Sequence, residues 1–336
     1  MRSDDSMMGR RAFLAAAATA AAGQRTPIVA ADRRFFTAFV PGSIGVRANQ
    51  SEAIRMAADH GFASVQPFPA ALAEDGAERH VAALREHGLR WAAAGLPVNF
   101  RGDEAAFEED LAALPEAASA LQAAGVDRVG TWLRPSSDAL TYMQNFRQTA
   151  RRLRAAAAVL QDHGLRLGLE YVGTKRNWTA GRHSAVHTLA GALELISEID
   201  LPNVGLVLDS WHWWTSWETG DDIRGLSGSD VVSADLNDAP AGIPRDEQYD
   251  NQRELPLATG VIDVAEFLGA LVDIGYDGPI RAEPFNKTLN EMEDGQACRL
   301  TVEALNKAFA VVDRQASARA PRVAQDRARQ GPIAPS

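Results

Sequence analysis

The chain is predicted to be α/β, a single (β/α)8 barrel, and three observations point there. Between Arg34 and Arg314, short apolar or β-branched runs alternate with longer Ala, Leu, Glu and Arg segments of helical period, the pattern of βα units feeding a parallel sheet. Eight such units can be counted, and a chain of 336 residues with 46% hydrophobic content is long enough to bury one large core. Glycine recurs where a helix should end and a strand begin, as in His60-Gly61-Phe62, His87-Gly88-Leu89, Ala124-Gly125-Val126, His163-Gly164-Leu165 and Ile274-Gly275-Tyr276.

In chain order, the expected strands are Phe35–Val40, Ser64–Pro67, Arg90–Gly95, Arg128–Leu133, Arg166–Tyr171, Gly205–Asp209, Val231–Leu236 and Pro279–Pro284. Helices are expected to begin near Ser51, Gly76, Asp103, Leu140, His183, Thr219 and Asp263, with a last one from about Glu291 to Val312. No Gly-x-Gly-x-x-Gly follows the first strand, and Pro41-Gly42-Ser43-Ile44-Gly45 is no dinucleotide loop, so a nicotinamide cofactor is not supported.

Residues 1–31 read differently. Gly9-Arg10-Arg11-Ala12-Phe13-Leu14, an Ala-rich run to Ala22 and small residues at Val29-Ala30-Ala31 make a twin-arginine-type signal peptide, which predicts an exported, periplasmic or extracellular protein with no stable membrane anchor. Residues 32–314 are then the barrel. From 315 to 336, four arginines and three prolines without apolar periodicity predict a disordered tail. The formal net charge of −10 disfavours a nucleic-acid partner, and the single cysteine, Cys298, excludes an intramolecular disulfide and a Cys-rich zinc cage.

Four acids stand where successive strands should end: Glu170, Asp209, Asp235 and Glu283. In a parallel barrel these ends open into one bowl, so the acids converge, and carboxylates held that close need a shared cation or a raised pKa. The segments around them are Gly168-Leu-Glu170-Tyr171, Leu208-Asp209-Ser-Trp-His212, Asp235-Leu-Asn-Asp238-Ala-Pro240, Arg253-Glu-Leu-Pro256 and Gly278-Pro-Ile-Arg-Ala-Glu283-Pro284. In this order they resemble the xylose-isomerase-like TIM-barrel family of sugar isomerases and epimerases, with ketose 3-epimerase and inosose isomerase or dehydratase relatives. The resemblance covers nearly all of Arg34 to Arg314 and implies one divalent ion held by Glu170, Asp209, Asp235 and Glu283.

This chain departs from that family at the third ligand, where Asp235 stands in place of the common histidine. An all-oxygen site should prefer manganese or magnesium to cobalt or zinc. Asp238, three residues on, competes for the ligand position, although it also reads as a loop-stabilising Asx residue. The resemblance further implies that Glu170 and Glu283 transfer protons on the two faces of a sugar next to its carbonyl, through an enediolate whose charge the metal offsets. It assigns substrate contacts to His212 and Arg253.

Further candidate contacts come from residue usage. Lys175 and Lys287, two of only three lysines, follow Glu170 and Glu283 closely. Trp211, Trp213, Trp214 and Trp217 crowd one short polar loop after the sixth strand, where indoles could stack on sugar faces, and Trp211 is the foremost of them. Gln66 closes the second strand. The reading is thus a metal-dependent isomerase acting on a small carbohydrate. A lyase or dehydratase acting on a 3-keto sugar, glycoside or inosose is the first alternative, and a non-catalytic carbohydrate-binding barrel the second. Homo-oligomerisation stays open.

Overall fold

The computed structural model describes residues 33–329, with side chains described through residue 314. The segment expected to be an export signal lies outside the described residues. Asp32–Gln315 form one compact unit; of the second unit only helical backbone to Arg329 is described. Residues 315–329 are therefore helical where a structureless tail is expected, because their alanines, arginines and glutamines are good helix formers in spite of Pro321. No helix among the described residues is long and apolar enough to cross a membrane.

Eleven strands occur among the described residues: β1 (Phe36–Phe39), β2 (Ser64–Val65), β3 (Arg90–Trp91), β4 (Ala94–Gly95), β5 (Arg128–Trp132), β6 (Ser136–Ser137), β7 (Arg166–Glu170), β8 (His183–Ser184), β9 (Val204–Asp209), β10 (Val231–Asp235) and β11 (Pro279–Arg281). Nine form one parallel sheet in the order β3-β2-β1-β11-β10-β9-β7-β5-β4. Since β3 and β4 are the two ends of one stretch, Arg90 to Gly95, that stretch bonds β2 at its start and β5 at its end. The sheet thereby curls round on itself, and the expected eight strand positions are all occupied. Short β2 and β11 stop before Pro67 and Pro284, which lack the N–H that a ladder requires.

Three differences in element assignment have local causes. The helix expected from His183 starts at Leu189, where the Thr188 hydroxyl accepts the Gly191 N–H, while His183–Ser184 pair antiparallel with β6. Pro69–Asp75 add a short helix before the one at Ala77–Glu86. The tryptophan-rich stretch expected as a polar loop is the helix Ser210–Thr215.

Strand sequences explain the shape of the interior. The central strands are buried along nearly their whole length, so both faces are apolar. Inside the barrel the chain places small residues: a Cβ added to Gly168 would meet Val207 Cγ2 at 2.8 Å and Val232 Cβ at 2.9 Å, and one on Gly130 would meet Val207 Cγ2 at 3.3 Å. Ala38, Ala92, Ala94 and Ser233 continue this lining upward and leave a cavity of about 630 Å³. Gly61 is glycine for a different reason: its φ of 79° ends the helix Gln50–His60 in the left-handed region, with open space around it.

Glu218 ties three segments together. Its Oε1 accepts the Leu189 N–H at 2.7 Å, and its Oε2 accepts the Tyr171 hydroxyl. Burial pushes its carboxyl up to about 7 against the opposing effect of the Tyr171 bond.

Two outcomes follow. Gly168→Ala should cost about 1–3 kcal/mol by overpacking, seen as a lower urea midpoint at unchanged slope; an unshifted midpoint would disprove the close strand approach. For Glu218, the folded chain holds a proton that the unfolded chain releases between about pH 4.5 and 7. Its contribution to stability is therefore present at acid pH and lost as pH rises through 7, and Glu218→Gln should flatten the stability curve across that window. A parallel curve in the variant would count against the assignment.

Candidate metal and catalytic site

Ladder register assembles the site. Asp235 lies opposite Asp209 between β10 and β9, and opposite Arg281 between β10 and β11. Side chains alternate along a strand, so Arg281 and Glu283, two residues apart, share a direction. Glu170 ends β7 beside Trp132 of β5. One carboxylate oxygen from each of Glu170, Asp209, Asp235 and Glu283 falls within 4.8 Å of all the others. Glu170, Asp209 and His212 make a second, overlapping group.

Two arginines, Arg253 buried and Arg281 part-buried, thread between the acids. Arg253 Nη1 donates to Asp209 Oδ2 at 2.7 Å and to Glu283 Oε2 at 3.4 Å, and its Nη2 donates to Asp250 Oδ1 at 2.7 Å. Arg281 clamps Asp235 with Nε at 2.6 Å and Nη2 at 2.8 Å, and its Nη2 also reaches Glu283 Oε1 at 2.9 Å. Asn237 fixes the frame by donating Nδ2 to Asp209 Oδ1 at 2.9 Å and accepting the Glu283 N–H at 2.8 Å. Glu170 Oε1 is buried and has no hydrogen-bond partner.

Charge is the governing quantity. Two carboxylates about 4.8 Å apart repel by roughly 3.5 kcal/mol at an effective dielectric of about 20. The four acids and Asp250 face only Arg253 and Arg281, which leaves three uncompensated negative charges when all are ionised. One divalent cation and one proton would close that balance. Burial first, then Glu283, Asp235 and Asp209, push Glu170 well above the usual carboxylate range. Burial drives Glu283 up to about 7 in spite of Arg281, and raises Asp235 against the same guanidinium. Burial alone would lower Arg253, but Asp209, Asp250 and Glu283 more than reverse that.

His212 is kept neutral. Its Nδ1 meets the Gly173 N–H at 3.2 Å and its Nε2 meets Arg253 Nη2 at 3.2 Å, so donors face both ring nitrogens, and burial depresses its pKa. Nε2 also lies 3.9 Å from Glu170 Oε1 and 3.9 Å from Asp209 Oδ2. The oxygen-rich donor set, the orphaned Glu170 oxygen and a neutral imidazole beside them fit a divalent cation. Asp238, by contrast, spends its carboxylate on the loop: it accepts the N–H groups of Ala239, Thr259, Gly260 and Ile262 at 2.7–3.0 Å and stands outside the acid group.

The remaining candidates separate. Gln66, His212 and Arg253 line the cavity with Glu170, Asp235 and Glu283, whereas Asp209 is fully buried behind them. Three candidate substrate contacts are corrected. Lys175 is an exposed partner of Asp246 at 2.6 Å, and Lys287 projects into solvent near Glu291 at 3.7 Å; both follow their glutamates into short helices, and neither lysine lines the cavity. Trp211 is wholly buried, with Nε1 donating to Thr174 Oγ1 at 2.9 Å and Arg253 packed 5.5 Å from its ring. Trp213 and Trp214 are core as well, and of the four only Trp217 is exposed. Helical spacing turned their rings inward, a possibility that the assumption of a loop had hidden.

Sequence reasoning missed Asp250, Arg281 and Asn237. Arg281 had a usable signal in its two-residue phase with Glu283, and Asp250 in its three-residue spacing from Arg253. Asn237 had the same two-residue phase with Asp235.

A parallel barrel with an acid cluster at the carboxyl ends of its strands defines the class, and comparison with known proteins gives the family. A family model described as xylose isomerase-like TIM barrel matches residues 54–308, and the chain belongs to that family. An inosose isomerase of Bacillus licheniformis is 26% identical over 160 residues, 46% of this chain and 53% of the relative. A 3-dehydroshikimate dehydratase of Pseudomonas aeruginosa is 30% identical over 166 residues, 49% of this chain and 24% of that protein. The chain thus spans about half the length, or less, of these curated relatives. A solved xylose isomerase domain protein from Alicyclobacillus acidocaldarius superposes with a TM-score of 0.75 at 30% identity, covering 83% of this chain and 99% of the other.

Added Mn2+ should raise the thermal midpoint, by the equivalent of about 2.7 kcal/mol at a hundredfold excess over Kd. Asp209→Asn should abolish the rise. A midpoint indifferent to Mn2+ in the native chain would remove the metal from the site.

Proposed function

We propose that the protein is a sugar isomerase or epimerase that moves a proton on a carbon next to a carbonyl, with a small carbohydrate as substrate. The observation that carries this reading is the pair Glu170 and Glu283: two carboxyls with raised pKa, on one cavity wall, the first buried and with a free oxygen. A raised pKa suits a group that must both take and return a proton near neutral pH. Glu170 Oε1 would accept the proton from carbon, leaving an enediolate, and Glu283 in its acid form would supply one. Arg253, held by Asp209, Asp250 and His212, would orient the substrate oxygen. Glu170, Asp209, Asp235 and Glu283 would hold a divalent ion, manganese or magnesium by their all-oxygen character, which supplies electrostatic stabilisation of charge on the substrate oxygens.

A dehydratase is the second reading, favoured by the name of the Pseudomonas relative. The same base would remove the proton from carbon, and a β-hydroxyl would take the Glu283 proton and leave as water instead of a proton returning to carbon. Export through a twin-arginine-type signal at residues 1–31 is part of the proposal and rests on the sequence alone.

Incubated with Mn2+ and a panel of ketoses and inososes in heavy water, the native protein should place deuterium at carbon, followed by NMR. Glu170→Gln should slow that exchange by roughly 10²–10⁴-fold while the circular dichroism spectrum stays unchanged. Exchange at the native rate in Glu170→Gln would refute the assigned base, and an unsaturated product absorbing in the ultraviolet would favour the dehydratase.

A further inference from the structure

The cavity has a second charged wall, away from the acid cluster. Arg101, in the segment that follows β4, lines it together with Thr131 and Trp132. Its Nη1 donates to the Trp132 carbonyl at 2.6 Å and to Thr131 Oγ1 at 3.1 Å. The guanidinium carbon lies 4.3 Å from the Trp132 ring centroid and 4.5 Å from that of Phe100, so two rings and two hydrogen bonds fix its plane. Among the described residues no carboxylate pairs with Arg101, and its Nε and Nη2 have no hydrogen-bond partner.

The two other arginines of the cavity set the contrast, since Arg253 and Arg281 each hold at least two carboxylates. Arg101 stays half-buried and uncompensated in a chain of net charge −10. Burial, and then the neighbouring Arg134, lower its pKa to about 10, the mark of a cation without a counter-ion. Its position is also telling. Trp132, whose carbonyl it grips, lies in register with Glu170, so Arg101 stands one strand from the proposed base, on the side away from β9.

We infer that Arg101 receives the carboxylate of the substrate, so that the ligand of this cavity is a carbohydrate acid whose keto-bearing carbons face Glu170 and Glu283. A planar guanidinium with two donors free matches a carboxylate in bidentate fashion. A phosphate dianion would call for more donors than this wall offers. The inference rests on the proposed function and narrows its substrate class.

The test is isothermal titration of the Mn2+-loaded protein with matched pairs of probes, D-galacturonate against D-galactose and quinate against myo-inositol, with D-galactose 6-phosphate as a third arm. Each acid should bind about tenfold more tightly than its neutral partner or better, and the preference should weaken with added salt. Arg101→Gln should erase the preference and Arg101→Lys should keep part of it, while both variants retain the native affinity for the neutral probes. Equal affinity for acid and neutral probes, no acid binding at millimolar concentration, tighter binding of the phosphate ester, or an undiminished preference in Arg101→Gln would each overturn the inference. Failure of the proposed function is a separate result: acids that bind through Arg101 but exchange no deuterium would keep this assignment and reject the chemistry.

Discussion

Mutual repulsion of carboxylates at the mouth of the barrel is the constraint around which the rest of the site is built. Four acids whose oxygens fall within 4.8 Å of one another, three of them buried, are unstable as four free anions. The molecule answers with two guanidiniums, Arg253 and Arg281, and with Asn237 as a neutral brace between Asp209 and Glu283. That answer is incomplete in charge. The shortfall leaves room for a proton and a cation where a fully paired network would reject both.

The incompleteness is concentrated on particular atoms. Asp209 and Asp235 have both oxygens engaged, whereas Glu170 has one oxygen with no partner. A buried acceptor left open costs stability, and it does so where a reacting atom or an ion would sit. The small residues of the barrel interior have a matching role. Gly130, Ala38, Ala94 and Ser233 leave room above the packed layer, so the strand ends meet a cavity and not a core. Arg101 across that cavity gives it polarity, acid on one side and a single fixed cation on the other.

Much of this was legible along the chain. Eight strand positions, the glycine caps and the four strand-end acids follow from local periodicity and from the geometry of parallel barrels, in which carboxyl ends share one rim. What failed had a common physical cause. Lys175, Lys287 and Trp211 were assigned by nearness in sequence to the acids, yet a helical turn after each strand rotated them outward or into the core. Arg281 and Arg101 pair with Asp235 and Trp132, 46 and 31 residues away, and no local pattern announces which partner such a residue takes.

The sequence by itself determined the fold class and the identity of the acids, because both depend on periodic burial within single strands and on which residue ends each one. Only the tertiary structure decided which groups share charge: that Arg281 belongs to Asp235, that Asp238 serves its loop, and that Arg101 is left without an anion. The reason is range. Burial patterns repeat every two or four residues and can be read along the chain, whereas electrostatic balance in a desolvated site depends on distances of a few ångströms between segments that only the closed barrel brings together.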